Sequence, residues 1–288
     1  MGATGSSGRY IAQSLIKTGY KIKALVRDKN KANQILPKGI EIVEGNIRQI
    51  SDLEKAMSGI SGVYLSLGLE EQSKEKNWHQ LVEGLKNVVV IARIKQVEHI
   101  ITHFMLGAKR TEENPSDWWG YNIQAKAVKI LESSQIPSTL FFCSPFMENF
   151  QTRFRKGKNI RILGETKFPL YWSSAKQVGL LAGEAFFKEP FFNKSFSVQG
   201  KDAFHLKSAA EIFVRFCKKE HISILENDQN LVRMFSLFRS GMDFEAQWIE
   251  ALSKKAEVFE SESTWETFGI PPVSFSDFAA QAGTEING

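Results

Sequence analysis

The chain has 288 residues, 42% of them hydrophobic and 24% charged, and its 37 basic and 32 acidic side chains give a net charge of +5. That length allows one large domain, or one domain with a smaller lobe, and the composition excludes a disordered or collagen-like chain. No basic block of the kind that tracks a nucleic acid stands out, and no apolar run approaches the ~20 residues of a membrane span. Two cysteines, Cys143 and Cys217, are too few for a disulfide framework or a structural zinc site. No signal peptide is visible, so a reducing, cytoplasmic setting is expected.

Taken in order, the first half alternates helical and strand patterns. Ser6 to Thr18 carries Ile11, Ala12, Leu15 and Ile16 on one face and runs into Gly19, which predicts an amphipathic helix with a glycine stop. Lys21 to Val26 and Ile40 to Val43 read as strands. Ser51 to Met57 predicts a helix, with Ser51 as N-cap and Glu54 completing a capping box. A third strand is predicted over Gly62 to Leu67, a long helix over Trp78 to Ile94, and a fourth strand over His99 to Phe104. A helix over Tyr121 to Ser134 and a strand over Thr139 to Cys143, closed by Pro145, follow. Short apolar strands alternating with helices predict an α/β, doubly wound parallel sheet covered on both faces.

After Pro145 the rhythm changes. Phe and Trp become frequent, and long helical patterns appear at Ser208 to Lys219 and Leu231 to Phe259. A sheet domain over 1–150 and a smaller C-terminal lobe over 151–288, with a return to the sheet, are therefore expected. Phe186-Phe187 and Phe191-Phe192 read as core. Trp118-Trp119 and Tyr171-Trp172 read as walls of a pocket for a small apolar or aromatic substrate.

Gly2, Gly5 and Gly8 stand at Gly-x-x-Gly-x-x-Gly spacing directly before the first helix. Glycines let the backbone approach a pyrophosphate, and the helix start offers unpaired N–H groups and a positive dipole end. Thr4, Ser6 and Ser7 add hydroxyl donors. Arg27 lies 19 positions after Gly8, where NAD-preferring domains place an acidic residue on the ribose 2′-hydroxyl. Arginine there suits a 2′-phosphate through a bidentate, charge-assisted contact, so NADP(H) is the expected cofactor. A register one residue later would instead put Asp28 in the NAD role. Asn46, after the second strand, reads either as a contact to adenine or as a turn asparagine.

Gly2-Ala-Thr-Gly-Ser-Ser-Gly8, Ala24-Leu-Val-Arg-Asp28 and Glu44-Gly-Asn46 together resemble the NmrA-like group of atypical short-chain dehydrogenases. Val97-Glu-His-Ile-Ile101, Lys126-Ala-Val-Lys-Ile-Leu131, Ser134-Gln-Ile-Pro137 and Ser144-Pro-Phe-Met-Glu-Asn-Phe150 extend the likeness to about residue 150, with a fainter trace through Ser195 to Gly200. The resemblance implies a Rossmann-type domain that binds NADP(H), with Pro145 and Phe146 at the cofactor, and a smaller substrate lobe. It implies either a reductase of quinones and other small molecules, or a cofactor-sensing regulator acting through a protein partner.

Catalytic short-chain dehydrogenases use Tyr-x-x-x-Lys, in which the tyrosine passes a proton to the substrate oxygen. Lys126 fits the lysine, but Asn122 stands four positions before it and Tyr121 is about 100° away around a helix. Lys126 is expected to hold the cofactor ribose and, if desolvated, to move a proton. His103, at a strand end, is a second candidate donor. No metal is expected: His79, His99, His103, His205 and His221 show no metal-ligand spacing, and no Gly-x-Ser-x-Gly elbow occurs. A small-molecule substrate, no nucleic acid or membrane partner, and a monomer or homodimer complete the expectation. Finally, the strand running into the glycine loop of a doubly wound sheet lies at its centre, yet only Met1 precedes Gly2. The chain is thus expected to be short by one strand of about 5–6 residues, leaving neighbouring strand edges unpaired.

Overall fold

The computed structural model describes residues 1–69, 77–109, 118–217, 222–227 and 240–282. The fold divides into two units, one formed by Met1–Cys143 with Ala175–Ser197, the other by Ser144–Ser174 with Val198–Gly288. The first unit thus ends at Cys143 rather than near 150, and takes back a later segment.

Within the first unit, α1 (Gly8–Lys17), β1 (Lys23–Val26), α2 (Lys29–Ile35), β2 (Glu41–Glu44), α3 (Ile50–Ala56) and β3 (Gly62–Leu65) follow one another. Next come α4 (Leu85–Ile94), β4 (His99–Met105), the short α5 (Leu106–Lys109), α6 (Trp119–Glu132) and β5 (Ser138–Cys143), and, from the returning segment, α7 (Ala175–Ala185) and β9 (Lys194–Val198). β1 and β2 pair in parallel, Val26 opposite Glu44. β3, β4, β5 and β9 form a separate sheet in that order, with Leu65 opposite Thr102 and His103 opposite Phe141. Every residue of β5 is buried, as a strand covered on both faces requires. The helices bury one stripe each: Tyr10, Ile11, Ala12 and Leu15 on α1, and Leu85, Val88, Val89, Ile91 and Ala92 on α4. Each fully buried Leu or Ile contributes about 1.5–3 kcal/mol. This is a Rossmann-like α/β fold.

α7 packs on α1 at unusually close range. A Cβ on Gly179 would lie 2.8 Å from the Ile11 carbonyl oxygen, and one on Gly183 would lie 2.6 Å from Thr18 Cγ2. The α7 backbone therefore comes up against the Ile11 backbone at Gly179 and the Thr18 side chain at Gly183.

Several elements differ from their sequence expectation for local reasons. α3 starts at Ile50 with Gln49 at its N-cap and no side-chain cap, so the capping box of Ser51 and Glu54 does not form. Asp52 instead turns its carboxylate to the N–H of Asn46, 2.8 Å away. The helix expected from Trp78 begins with a π-turn at Gln80–Gly84, where the His79 carbonyl accepts from Val82, Glu83 and Gly84. α2 was not expected; Asp28 caps it by accepting the Lys31 N–H at 2.9 Å. Of the helix expected over Leu231 to Phe259, the structure has Ser240–Lys254. Residues 228–239, and Lys219 and His221, lie outside the described residues.

The second unit is built around aromatic rings. β6 (Arg155–Lys156) pairs antiparallel with β7 (Asn159–Leu163), which pairs in parallel with β11 (Ser223–Asn227). β8 (Leu170–Tyr171) pairs with β10 (Ala203–Phe204), and α8 (Leu206–Phe216) follows. Phe150 packs on Phe154, Trp172, Phe213 and Phe275 with ring centroids 5.1–5.4 Å apart. Trp172 is 1% exposed, so it belongs to this core and walls no open pocket. Buried Gln199 ties a returning loop, donating to Glu257 Oε1 and the Val258 carbonyl and accepting from the Glu260 N–H. Among the described residues no helix is long and apolar enough to cross a membrane.

In the first unit His99 is fully buried. Its Nδ1 accepts the Phe187 N–H at 3.3 Å, so Nε2–H donates to Thr139 Oγ1 at 2.9 Å, whose hydroxyl donates to the Phe191 carbonyl. Burial lowers its pKa from 6.5 to about 4, and burial lowers His103 equally. The unfolded chain therefore binds more protons than the native one below pH ~6.5. Stability from these groups is complete above that pH and is lost as pH falls toward 4. Thermal denaturation should show Tm dropping by roughly 5 °C or more between pH 7 and 5, and His99→Gln should flatten that slope.

Candidate functional site

The site starts at the first residue. The Met1 amine donates to the Tyr64 carbonyl at 2.7 Å, and the Ser66 N–H donates to the Met1 carbonyl at 3.0 Å. Met1 therefore pairs in parallel with the carboxyl end of β3. Gly2 then turns with φ +75°, and a Cβ there would overlap the Ser66 carbonyl. The Gly5 N–H donates to the Gly2 carbonyl at 3.0 Å, and the chain curls so tightly that a Cβ on Gly8 would overlap the same oxygen. Only glycine fits either position. The curl brings the start of α1 onto the end of β3, and the N–H groups of Ser6, Ser7 and Gly8 have no intrahelical acceptor.

Ser7 sits at the N-cap, but its hydroxyl does not cap the helix. It lies 3.3 Å from Ser66 Oγ and 3.4 Å from His103 Nε2. On the far side of the imidazole, Nδ1 is 2.8 Å from the Tyr64 hydroxyl. Burial raises the Tyr64 phenol well above its usual 10 and lowers His103 to about 4, so both are neutral at pH 7. A phenol donates better than it accepts, so Tyr64 O–H gives its proton to Nδ1 and Nε2–H points at Ser7. The Ser7 proton is then left to point at Ser66 or at an anion before the helix.

Arg9, one residue past Gly8, was not singled out from the sequence. Its guanidinium donates to the Tyr10 hydroxyl at 2.8 Å, while its Nε is buried without a hydrogen-bond partner. A cation in the first helical turn opposes the dipole unless an anion is bound. That placement was the signal available in the sequence. A cradle that a Cβ would fill, free helix N–H groups and an orphaned guanidinium nitrogen together fit a dinucleotide phosphate.

The other expected residues distribute as follows. Arg27 is exposed at the end of β1, with no partner among the described residues, whereas Asp28 is engaged as the cap of α2. Asn46 follows β2, the strand paired with β1, and its side-chain oxygen accepts the Arg48 N–H at 3.0 Å, as a turn asparagine does. Thr4 is half-buried and Ser6 exposed in the loop, and Lys126 is exposed on α6. Tyr121 is buried edge-on against Trp118, at 4.7 Å, and lies over Gly107. Pro145 and Phe146 belong to the second unit, where the Pro145 carbonyl accepts the Ser173 N–H at 3.0 Å and Phe146 bridges to Ser173.

Residues 2–158 match the model of a family described as NAD(P)H-binding. The chain belongs to this NAD(P)H-binding family. That membership agrees with the resemblance to the NmrA-like group and with the dinucleotide expected from the glycine loop. An NAD(P)H azoreductase of Xenophilus azovorans is 26% identical over 219 residues, 74% of this chain and 70% of that protein. Two solved structures are similar in fold. An NADPH-dependent quinone oxidoreductase of Escherichia coli, complexed with NADPH, has a TM-score of 0.71 at 20% identity, covering 97% of both chains. A Citrobacter sp. triphenylmethane reductase complexed with NADP(H) has a TM-score of 0.72 at 19% identity, covering 97% of this chain and 98% of that one.

For an NAD(P)H-binding loop built this way, Gly8→Ala must push the Gly2 carbonyl out of place. Titration with NADPH should show affinity lowered by about tenfold or more, whereas Ser6→Ala, at an exposed position, should change it far less.

Proposed function

We propose that the chain is an NADPH-dependent reductase of a small aromatic or quinone-like substrate. The observation that carries the cofactor choice is the end of β1. Arg27 stands exposed and unengaged there, while the neighbouring carboxylates are both taken up, Asp28 accepting the Lys31 N–H and Glu44 the Lys29 N–H. A guanidinium beside carboxylates already engaged suits a 2′-phosphate better than a bare 2′-hydroxyl. Arg9 supplies a second positive group at the pyrophosphate end.

When bound, the dinucleotide supplies the hydride. The chain's own residues bind and orient. The glycine loop, Ser7 and the start of α1 hold the phosphates, and Lys126 holds the ribose hydroxyls. His103, neutral at pH 7, acts as a positioning residue that sets the Ser7 hydroxyl. Asn46, Thr4 and Ser6 complete the cofactor contacts of the first unit in this reading. His103, lowered by burial to about 4, is not a ready acid near neutrality. That favours acceptors whose reduced form is a stabilised anion: a quinone takes hydride to give a hydroquinone anion, which then takes a proton from solvent. The names of the azoreductase, the quinone oxidoreductase and the triphenylmethane reductase support the same class.

One observation favours a second reading, a sensor that binds NADP(H) without turnover and acts through a protein contact. Tyr121, the nearest substitute for the dehydrogenase tyrosine, is buried against Trp118. NADPH oxidation with a panel of quinones, azo dyes and triphenylmethane dyes separates the two. Turnover with at least one acceptor is expected, and tight NADPH binding with no turnover would establish the sensor instead. On the cofactor, Arg27→Ala should raise the NADPH Kd by roughly 10- to 100-fold and leave the NADH Kd within about twofold. Equal losses for both would rule out the assignment of Arg27.

A further inference from the structure

α6 carries one buried carboxamide. Gln124 is 4% exposed and lies on the stripe that also buries Tyr121, Val128 and Leu131. Burying a carboxamide costs free energy unless it is hydrogen-bonded, and Gln124 Oε1 accepts the Met105 N–H at 2.7 Å. A backbone N–H bonds only to the oxygen of a carboxamide, so the nitrogen end is turned away from Met105. That nitrogen has no acceptor among the described residues, and unlike Arg9 Nε it is not sealed from solvent. This open donor stands at the carboxyl end of the sheet. Met105 is the last residue of β4, and ligands of doubly wound sheets bind outside the carboxyl ends of the strands. Two residues earlier, about 7 Å along the strand, His103 lies 3.4 Å from the Ser7 hydroxyl at the glycine loop. Tyr121 of α6 covers Gly107, just after β4, so closely that a Cβ there would overlap its ring. The helix is thus seated on the strand end, and the carboxamide is held in place.

The chemistry of its partner follows from what the group lacks. With Oε1 taken by Met105, Gln124 donates without accepting, and it has no titratable proton to give up. It suits an oxygen that gains negative charge and draws its proton from elsewhere. Reduction of a quinone by hydride has this form. The donor's C–H bond breaks, hydride reaches one quinone oxygen, and the electron pair is left on the other. The resulting hydroquinone monoanion then takes a proton from solvent. We propose that Gln124 is a catalytic residue, whose Nε2–H donates to the quinone oxygen on which this charge develops. The role rests on the reductase reading.

The test compares the full chain with two variants. Gln124→Glu keeps an oxygen for the Met105 N–H and turns the donor into a second acceptor, whereas Gln124→Met removes donor and acceptor without adding charge. Both should lower kcat for a quinone by about 100-fold or more while the NADPH Kd stays within about threefold. The loss should shrink across a series of quinones as their hydroquinones become more acidic, because a more stable anion needs the donor less. A second readout needs no turnover. With NADP+ present, 4-nitrophenol is added and its visible phenolate band is followed against pH. The bound phenol should ionise about one pH unit lower in the unaltered chain than in Gln124→Met, since the donor favours the charged form. The proposal is overturned by a kcat loss equal for every quinone, by a loss of NADPH affinity that matches the loss of kcat, by equal ionisation of the phenol in both chains, or by no saturable binding of the phenol. If Gln124→Glu does not fold, Gln124→Met and the phenol titration decide. If the unaltered chain reduces no quinone, the reductase reading falls and the catalytic role with it, while the phenol titration still decides whether Gln124 faces a bound anion.

Discussion

The first residue of α1 lies against the carbonyl of Gly2 so closely that no side chain fits between them, and Gly2 lies in the same way against the carbonyl of Ser66. These two contacts fix the glycine loop on the end of β3 by backbone alone. They set where α1 starts and where its positive end points. The far side of α1 is fixed by the same device, since Gly179 of α7 admits the Ile11 backbone, and Gly183 the Thr18 side chain, where any Cβ would collide. From strand to loop to helix to helix, placement rests on missing side chains. A fold held this way tolerates little displacement, because interiors close-packed at this range do not deform gradually.

The charges around the loop fit an anion. Arg9 in the first turn opposes a helix dipole worth about 0.3–1 kcal/mol. An unsatisfied buried donor such as its Nε costs about 1–3 kcal/mol. The protein keeps both costs where a phosphate would turn them into gains, while it keeps nearby titratable groups neutral. His103 and Tyr64 are both pushed by burial toward their uncharged forms. In the proposed reading, the local field on an incoming dinucleotide is set by arginines and helix N–H groups, with no competing charge from the Tyr64–His103 pair. Violations of ordinary stability rules concentrate here, as they do at functional sites.

Much of the first unit was legible because its signals are local. Apolar runs between glycines and polar turns mark β3, β4 and β5, and the 3.6-residue stripe marks α1 and α4. Where the reading slipped, a competing side chain decided. The capping box of Ser51 and Glu54 is reasonable in isolation, but Asp52 is drawn to the Asn46 N–H and the helix starts earlier. The ambiguity between Arg27 and Asp28 could not be resolved along the sequence, because it turns on which of the two caps α2. Arg9 was overlooked because attention to glycine spacing and to the charge after β1 leaves out the first helical turn. The second unit was hardly legible at all. Phe150, Trp172, Phe213 and Phe275 meet only in three dimensions, and Gln199 organises a loop some sixty residues away. Nothing in a local window announces such contacts.

The sheet of the first unit is in two pieces, and the glycine loop hangs from the seam. Met1 pairs with the end of β3 through its nitrogen, which donates to the Tyr64 carbonyl, and its carbonyl, which accepts the Ser66 N–H. The residues that hold this end, Tyr64 and Ser66, are also those that reach His103 and Ser7. Strand pairing and the placement of the Ser7 hydroxyl at the start of α1 therefore share one segment of β3.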